Sequence, residues 1–229
     1  MFLKRKIQMR IVHKKMKNKV IIFDCDGTLV DTFLLIEKTV FQTFETLLPD
    51  YPLTKDEAHQ FFGPFLNDSF KKYVKTDKEV KQLVECYRCI NDEFMPYYIK
   101  AYDGIKELLE SLKKKDYTLA IVSNKVTPAV LKGIKLCQIN DYFDLIIGAE
   151  QLKEAKPNPD GIYQVLKKYP SDEVFMIGDT IIDIETGKNA NVKTIGVTWW
   201  KTSKEEFIKN GANFVVDKPQ EILKIVSEW

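Results

Sequence analysis

The sequence predicts an α/β protein: a doubly wound parallel sheet core interrupted by an inserted all-α domain. Three observations carry that expectation. Short, β-branched, nearly all-apolar runs recur along the chain, segments of helical periodicity separate them, and one long stretch near the start holds helical stripes alone. The apolar runs are Val20 to Phe23, Thr118 to Val122, Leu145 to Ile147, Val174 to Ile177, Thr194 to Val197 and Phe214 to Val216. They lack strict alternation, as parallel strands covered on both faces do.

Taken in order, residues 1–17 form a basic arm, expected to be flexible, with Lys4, Arg5, Lys6, Arg10, Lys14, Lys15 and Lys17 and no acid. After the first strand, Phe33, Ile36, Val40, Phe44 and Leu47 recur at helical spacing. Thr54 with Glu57 reads as a capping box. Asp77 precedes a third helix whose stripe is Val80, Leu83, Val84, Tyr87, Ile90 and Phe94. Downstream, helices are expected over Gly104 to Lys115, Pro128 to Leu136, Pro159 to Lys168 and Gln220 to Val226, with Thr127 as the N-cap before Pro128. The expected division is a core over 18–32 and 99–229, with a helical cap over 33–98.

The chain has 229 residues, 45% hydrophobic and 30% charged, with only 10 Gly and 9 Pro, which excludes a disordered or collagenous chain. No apolar run reaches the roughly 20 residues of a membrane span. The net charge of +2 hides an uneven spread. Taking the seven arm residues from 35 basic groups leaves 28 against 33 acidic ones, so nucleic acid is not an expected partner. Four cysteines are too few for a disulfide scaffold, and a reducing, cytoplasmic setting is expected. Cys86 and Cys89 read as buried packing residues, because two histidines and no second pair supply no closed zinc site. Lys71, Lys72 and Lys75 read as an exposed helix face.

In an open parallel sheet, ligands bind at the carboxyl ends of the strands. Asp24-Cys25-Asp26-Gly27-Thr28 follows the first strand and Ser123-Asn124-Lys125 the second. Lys156-Pro157-Asn158-Pro159 follows the third, and Gly178-Asp179-Thr180, with Asp183 further on, the fourth. Asp24, Asp26 and Asp179 would repel one another in a low-dielectric cleft unless a hard cation joined them, and Mg²⁺ takes carboxylates together with substrate phosphate. Lys156 and Ser123 supply a cation and a hydroxyl for phosphate oxygens, a set suited to phosphoryl chemistry. Asp24 and Asp26, two apart on extended chain, point the same way, and Gly27 allows a sharp turn there. One can attack phosphorus while its neighbour shuttles protons. Asp31 and Thr32 read as helix caps.

Asp24-Cys25-Asp26-Gly27-Thr28-Leu29-Val30-Asp31 resembles the first motif of the haloacid dehalogenase superfamily. Ser123, Lys156-Pro157 with Pro159, and Gly178-Asp179-Thr180 with Asp183 are similar to its second, third and fourth motifs, in the same order. The resemblance implies a Rossmann-like core with a C1-type helical cap. It implies Asp24 as nucleophile and Mg²⁺ ligand, and Asp26 as acid/base with its carbonyl on the metal. Ser123 and Lys156 would hold the phosphoryl group, Asp179 would bind the metal, and Asp183 would act behind the metal or brace Lys156. Gly27, Thr28, Gly63, Asn124, Ser123 and Lys156 are the expected substrate-binding residues.

Asp26 argues for phosphatase chemistry over dehalogenation. Gly63-Pro64-Phe65-Leu66 with Ser69-Phe70 resembles a segment of phosphoglycolate phosphatase-like and pyrophosphatase-like members. Trp200 stands where many relatives carry glycine, and Trp199 and Trp200 fit the core, a cap contact or a dimer patch alike. The expected function is a Mg²⁺-dependent phosphatase, monomer or homodimer, acting on a small phosphorylated metabolite such as phosphoglycolate, a sugar phosphate, a nucleotide or pyrophosphate. A phosphoglucomutase-type enzyme and a non-catalytic binding or regulatory protein are the alternatives.

Overall fold

The computed structural model describes residues 19–229, so the basic arm at 1–17 lies outside the described residues. β1 (Val20–Phe23) leads through β2 (Val30–Asp31) into four helices, α1 (Phe33–Leu47), α2 (Lys55–His59), α3 (Leu66–Phe70) and α4 (Asp77–Tyr98). The chain returns through β3 (Lys100–Ala101). Helices and strands then alternate as α5 (Ile105–Lys113), β4 (Thr118–Val122), α6 (Thr127–Leu136), β5 (Leu145–Ile147), α7 (Asp160–Lys168), β6 (Val174–Gly178), α8 (Ile181–Asn189), β7 (Lys193–Val197), α9 (Lys204–Lys209), β8 (Phe214–Val216) and α10 (Pro219–Glu228).

The six long strands form one parallel sheet in the order β5-β4-β1-β6-β7-β8. Its two faces follow the period of two. Ile21, Phe23, Leu119, Ile121, Phe175 and Ile177 meet α5, α6 and α10 on one side. Val20, Ile22, Ala120, Val122, Val174 and Met176 meet Ile162 and Val165 of α7 on the other. This is the expected Rossmann-like, doubly wound core.

The helices α1 to α4 share a separate hydrophobic cluster around Phe44, Phe61, Phe70, Leu83 and Val84, to which no strand residue contributes. Several boundaries differ from expectation. The cap of α4 is Thr76, whose hydroxyl accepts from Glu79 N in a capping box, and Asp77 is the first helical residue. The Thr54–Glu57 capping box forms as expected. Past Tyr87, α4 buries Asn91 and Met95, four residues apart, in place of Ile90 and Phe94. On α1, Leu47 is exposed while Thr39 and Thr43 are buried, their hydroxyls donating to the carbonyls of Leu35 and Thr39. Those local bonds make the polar positions acceptable inside.

Other details also correct the sequence reading. Thr127 is inside α6, whose N-cap is Val126, and its N–H is held by Glu150. Cys89 is exposed and Cys86 only half-buried. Lys71, Lys72 and Lys75 are exposed, but the first two lie on the turn after α3 and the third in a bend before α4. Asp31 accepts from Phe33 N at the start of α1, whereas the Thr32 hydroxyl caps nothing. The antiparallel pair β2–β3, two residues each, forms the neck between the sheet and the helices and is too short to leave a periodic signal.

Two core residues, Trp200 and Lys132, reach across to the helical insertion. Trp200 stacks on Phe62 at a centroid distance of 4.8 Å and lies 6.1 Å from Phe33, so it is a contact to the insertion. Trp199 turns inward, donating to Thr28 O at 3.2 Å. Pro96 cannot donate to the carbonyl four residues earlier, Asp92 O, and Lys132 of α6 donates to it instead at 2.9 Å.

Candidate active site

Register places the chemistry. Phe23 pairs with Ile121 on one side and Ile177 on the other, so Asp24, Ser123 and Asp179 emerge within one residue step of each other at one sheet edge. Asp24, Asp26, Ser123, Asn124, Lys125, Lys156 and Asp179 line a cleft of about 740 Å³. Its opposite wall comes from the helical insertion, through Phe62, Gly63, Phe65, Arg88, Asn91 and Met95.

Lys156 is 5% exposed and sits between two carboxylates. Its Nζ is 2.9 Å from Asp24 Oδ1 and donates to Asp183 Oδ1 at 2.6 Å. Burial works against the ammonium, but Asp183 and Asp24 outweigh it and raise its pKa. Asp183 is fully buried behind the cleft wall, and its other oxygen caps α8 by accepting from Thr180 N and Oγ1. Of the two roles expected for it, bracing Lys156 is the one its contacts display.

The residues behind the first strand are also engaged. Thr28 Oγ1 donates to Asp179 Oδ1 at 2.7 Å, so this buried hydroxyl steadies a carboxylate and does not face the cleft. Gly27, at φ +78°, touches the same group. A Cβ there would stand 2.2 Å from Asp179 Oδ2, so glycine makes room for Asp179. Asn124 is committed at both ends of its amide, donating to Gly63 O and accepting from Lys156 N. Gly27, Thr28 and Asn124 are expected on substrate, and each also touches neighbouring protein groups, the first two at Asp179 and the third at Gly63 and Lys156.

Asp26 departs from Asp24 in setting. Its Oδ1 accepts from Lys125 Nζ at 3.0 Å, and the pair is partly buried. Sequence reasoning gave Lys125 no role, although the rule that singled out Ser123 reaches it two residues later. Arg88, Asn91, Asp92 and Met95 were also missed as cleft residues, since their facing depends on how α4 rotates in its own cluster. Ser69 is buried within the insertion and away from the cleft wall.

Asp24, Asp179 and Asp183 each offer an oxygen within 4.8 Å of the others. One ammonium, Lys156, pairs with Asp24 and Asp183 and acts on Asp179 through its charge alone. Burial pushes the Asp24 carboxyl up to about 6 despite Lys156, with Asp183 adding to the rise. Burial, then Asp183 and Asp24, push Asp179 well up in the same way. Asp24 Oδ1 accepts no well-aligned hydrogen bond. Three buried carboxylates, carrying more negative charge than one ammonium balances, are hard oxygen donors that fit a hard divalent cation. Asp24 and Asp179 are the available pair, because Asp183 is used on both oxygens.

Comparison with known proteins agrees with this geometry. A family model for haloacid dehalogenase-like hydrolases matches residues 21–197. The chain is 34% identical over 214 residues to pyrophosphatase PpaX of Listeria monocytogenes, covering 93% of this chain and 98% of that protein. It is 30% identical over 215 residues to pyrophosphatase PpaX of Bacillus cereus, with the same coverage. A crystal structure of a predicted phosphatase from Clostridium acetobutylicum superposes with a TM-score of 0.81 at 30% identity, over 93% of this chain and 99% of that one. A haloacid dehalogenase-like family hydrolase from Streptococcus pneumoniae gives 0.79 at 27%, over 91% and 98%. No helix among the described residues is long and apolar enough to cross a membrane. With sheet order, strand-end residues and relatives in agreement, the chain belongs to the haloacid dehalogenase-like hydrolase family, among its phosphatases.

Proposed function

We propose that the protein is a Mg²⁺-dependent phosphatase of small phosphorylated metabolites, working through an aspartyl-phosphate on Asp24. One observation carries the reading: Asp24 projects from the β1 end into a cleft where Lys156 lies 2.9 Å from its oxygen and Asp179 stands beside it. Asp24 and Asp179 would hold the Mg²⁺. The bound ion keeps the carboxylates ionised at neutral pH and offsets negative charge on the phosphoryl oxygens.

In this reading an oxygen of Asp24 attacks phosphorus, and the bond from phosphorus to the leaving oxygen breaks. Asp26 gives that oxygen a proton. It then takes one from the water that attacks phosphorus, which releases phosphate and frees Asp24. Lys125 orients the Asp26 carboxyl through the 3.0 Å bond. Lys156 and the Ser123 hydroxyl hold the equatorial oxygens, where placed positive charge and donors lower the barrier most. The helical insertion over residues 33–98 acts as a cap that sets substrate choice.

The relatives named as pyrophosphatases support testing inorganic pyrophosphate as a substrate. The reducing setting expected from the sequence suits the four free cysteines. The test is phosphate release from p-nitrophenyl phosphate with and without Mg²⁺, then from a panel of pyrophosphate, phosphoglycolate, sugar phosphates and nucleotides. Phosphate release with no sugar-phosphate isomer formed is expected. Release by Asn at position 24 at the wild-type rate would refute the assignment.

A further inference from the structure

Asn124 joins the Gly63 segment of the insertion to the loop that carries Lys156. It follows Ser123 at the tip of β4. Its Nδ2 donates to Gly63 O, in the insertion, at 2.7 Å. Its Oδ1 accepts from the backbone N of Lys156, in the loop before α7, at 2.9 Å. Those partners fix the amide's orientation, because one can only accept and the other only donate. A carboxylate of the same size would face the Gly63 carbonyl with a second acceptor, and an alanine would reach neither group.

The Gly63 end is closely seated. Gly63 has φ +101°, and a Cβ there would lie 3.3 Å from Ile182 Cδ1, on the helix that carries Asp183. Phe62, its neighbour, is the residue on which Trp200 stacks. The Lys156 end matters because the ammonium must reach both Asp24 and Asp183 from a backbone that the amide holds.

We propose that Asn124 is a positioning residue that makes seating of the Gly63 loop and placement of Lys156 one event, so that the site is complete only with the helical insertion closed. The proposal rests on the phosphatase reading and deepens it. It assigns Asn124 no contact with substrate. Positioning of this kind moves turnover more than ground-state binding.

The experiment measures kcat and KM for p-nitrophenyl phosphate in wild type, Asn124→Asp, Asn124→Ala, Trp200→Ala and Asn124→Asp combined with Trp200→Ala. Both Asn124 variants are expected to lose kcat by about tenfold or more while KM moves by less than about threefold. Equal losses in the two exclude the added charge of Asp as the cause. The double variant is expected to lose clearly less than the product of its single losses, because both changes release the same loop. Asn124→Asp at the wild-type rate beside an impaired Asn124→Ala would overturn the link to the loop, as would losses that multiply in the double variant. Wild-type kcat in both Asn124 variants would overturn the proposal outright. An inactive wild type would instead sink the phosphatase reading, so the two failures are distinguishable. Should Asn124→Ala fail to fold, Asn124→Asp, nearly identical in volume, still carries the cycle.

Discussion

The floor and the wall of the cleft are built by different means. The floor is set by backbone register: three adjacent parallel strands end together, and whatever residue follows each end arrives in the site. The wall is set by side-chain packing in a separate helical cluster around Phe44, and its facing residues follow the rotation of α4. A register of main-chain hydrogen bonds leaves little freedom. A rotating helix leaves more. Changes on the floor are therefore expected to act on turnover, and changes in the wall on substrate choice and local stability.

The largest effect falls on the floor. Asp24→Asn removes the proposed nucleophile and should lower kcat for p-nitrophenyl phosphate by roughly 10³-fold or more. The fold should survive, because one of three crowded carboxylates is neutralised without a change of shape. Thermal unfolding checks this: the variant without Mg²⁺ should melt no lower than wild type. A lower melting point would mean that Asp24 is a structural carboxylate.

Next comes Asp183→Ala, one step behind the cleft wall. It removes the acceptor of Lys156 and the cap of α8 together, leaving a buried ammonium with one partner. Breaking a buried pair from one side costs about 3–5 kcal/mol, and turnover should fall with stability. Chemical denaturation gives the first and steady-state kinetics the second. A variant as stable as wild type would show that the pair is replaced by solvent.

The difference in construction also explains how much was legible in the sequence. The positions of Asp24, Ser123 and Asp179 could be read because the end of an apolar run marks the end of a strand, and that of Lys156, nine residues past β5, from its Lys-Pro pair. Lys125 went unnoticed although it lies two residues past the same strand, because a lone lysine carries no spacing signal until Asp26 is seen opposite it. The contact of Gly27 and Thr28 with Asp179 could not be read, because a contact between residues 151 apart, as Thr28 and Asp179 are, leaves no trace in local sequence. On α4, Ile90 and Phe94 were the apolar choice, yet Asn91 and Met95 face inward. The helix turns to keep Val80, Leu83, Val84 and Tyr87 buried, and position 91 inherits the cluster face with its amide donating to Thr39.

The wall is sharpened by Phe44→Ala. Phe44 lies 4.9 Å from the Tyr73 ring and 6.3 Å from Phe70, and truncating such a residue costs roughly 3–5 kcal/mol. The loss should be local. Hydrogen exchange should quicken in α1 and α4 while amides of β1, β4 and β6 keep their protection, because the two clusters share no residue. Uniform quickening across the sheet would mean that core and insertion unfold as one unit, and the contrast between floor and wall would fail.

The smallest effect separates metal from protein electrostatics on the floor itself. Burial raises Asp24 from 3.8 to about 6 in the absence of a cation, and Asp179 shifts in the same direction. A carboxyl whose folded pKa is raised keeps its proton in the folded state while the unfolded chain gives it up. Stability of the protein in EDTA should therefore be highest at the acid end of that interval and fall as pH climbs from about 4 through about 6. Mg²⁺ binds the ionised carboxylates of the folded state alone, so it should reverse the fall. A cation held at about 100 times its Kd adds about 2.7 kcal/mol, a rise of roughly 5–10 °C in Tm for a chain of this length. That rise should be full near about pH 7.5 and much smaller near about pH 5, where protons compete for the same oxygens. An equal rise at both values, or one that persists in Asp24→Asn combined with Asp179→Asn, would place the cation elsewhere and detach the floor's charge balance from its chemistry.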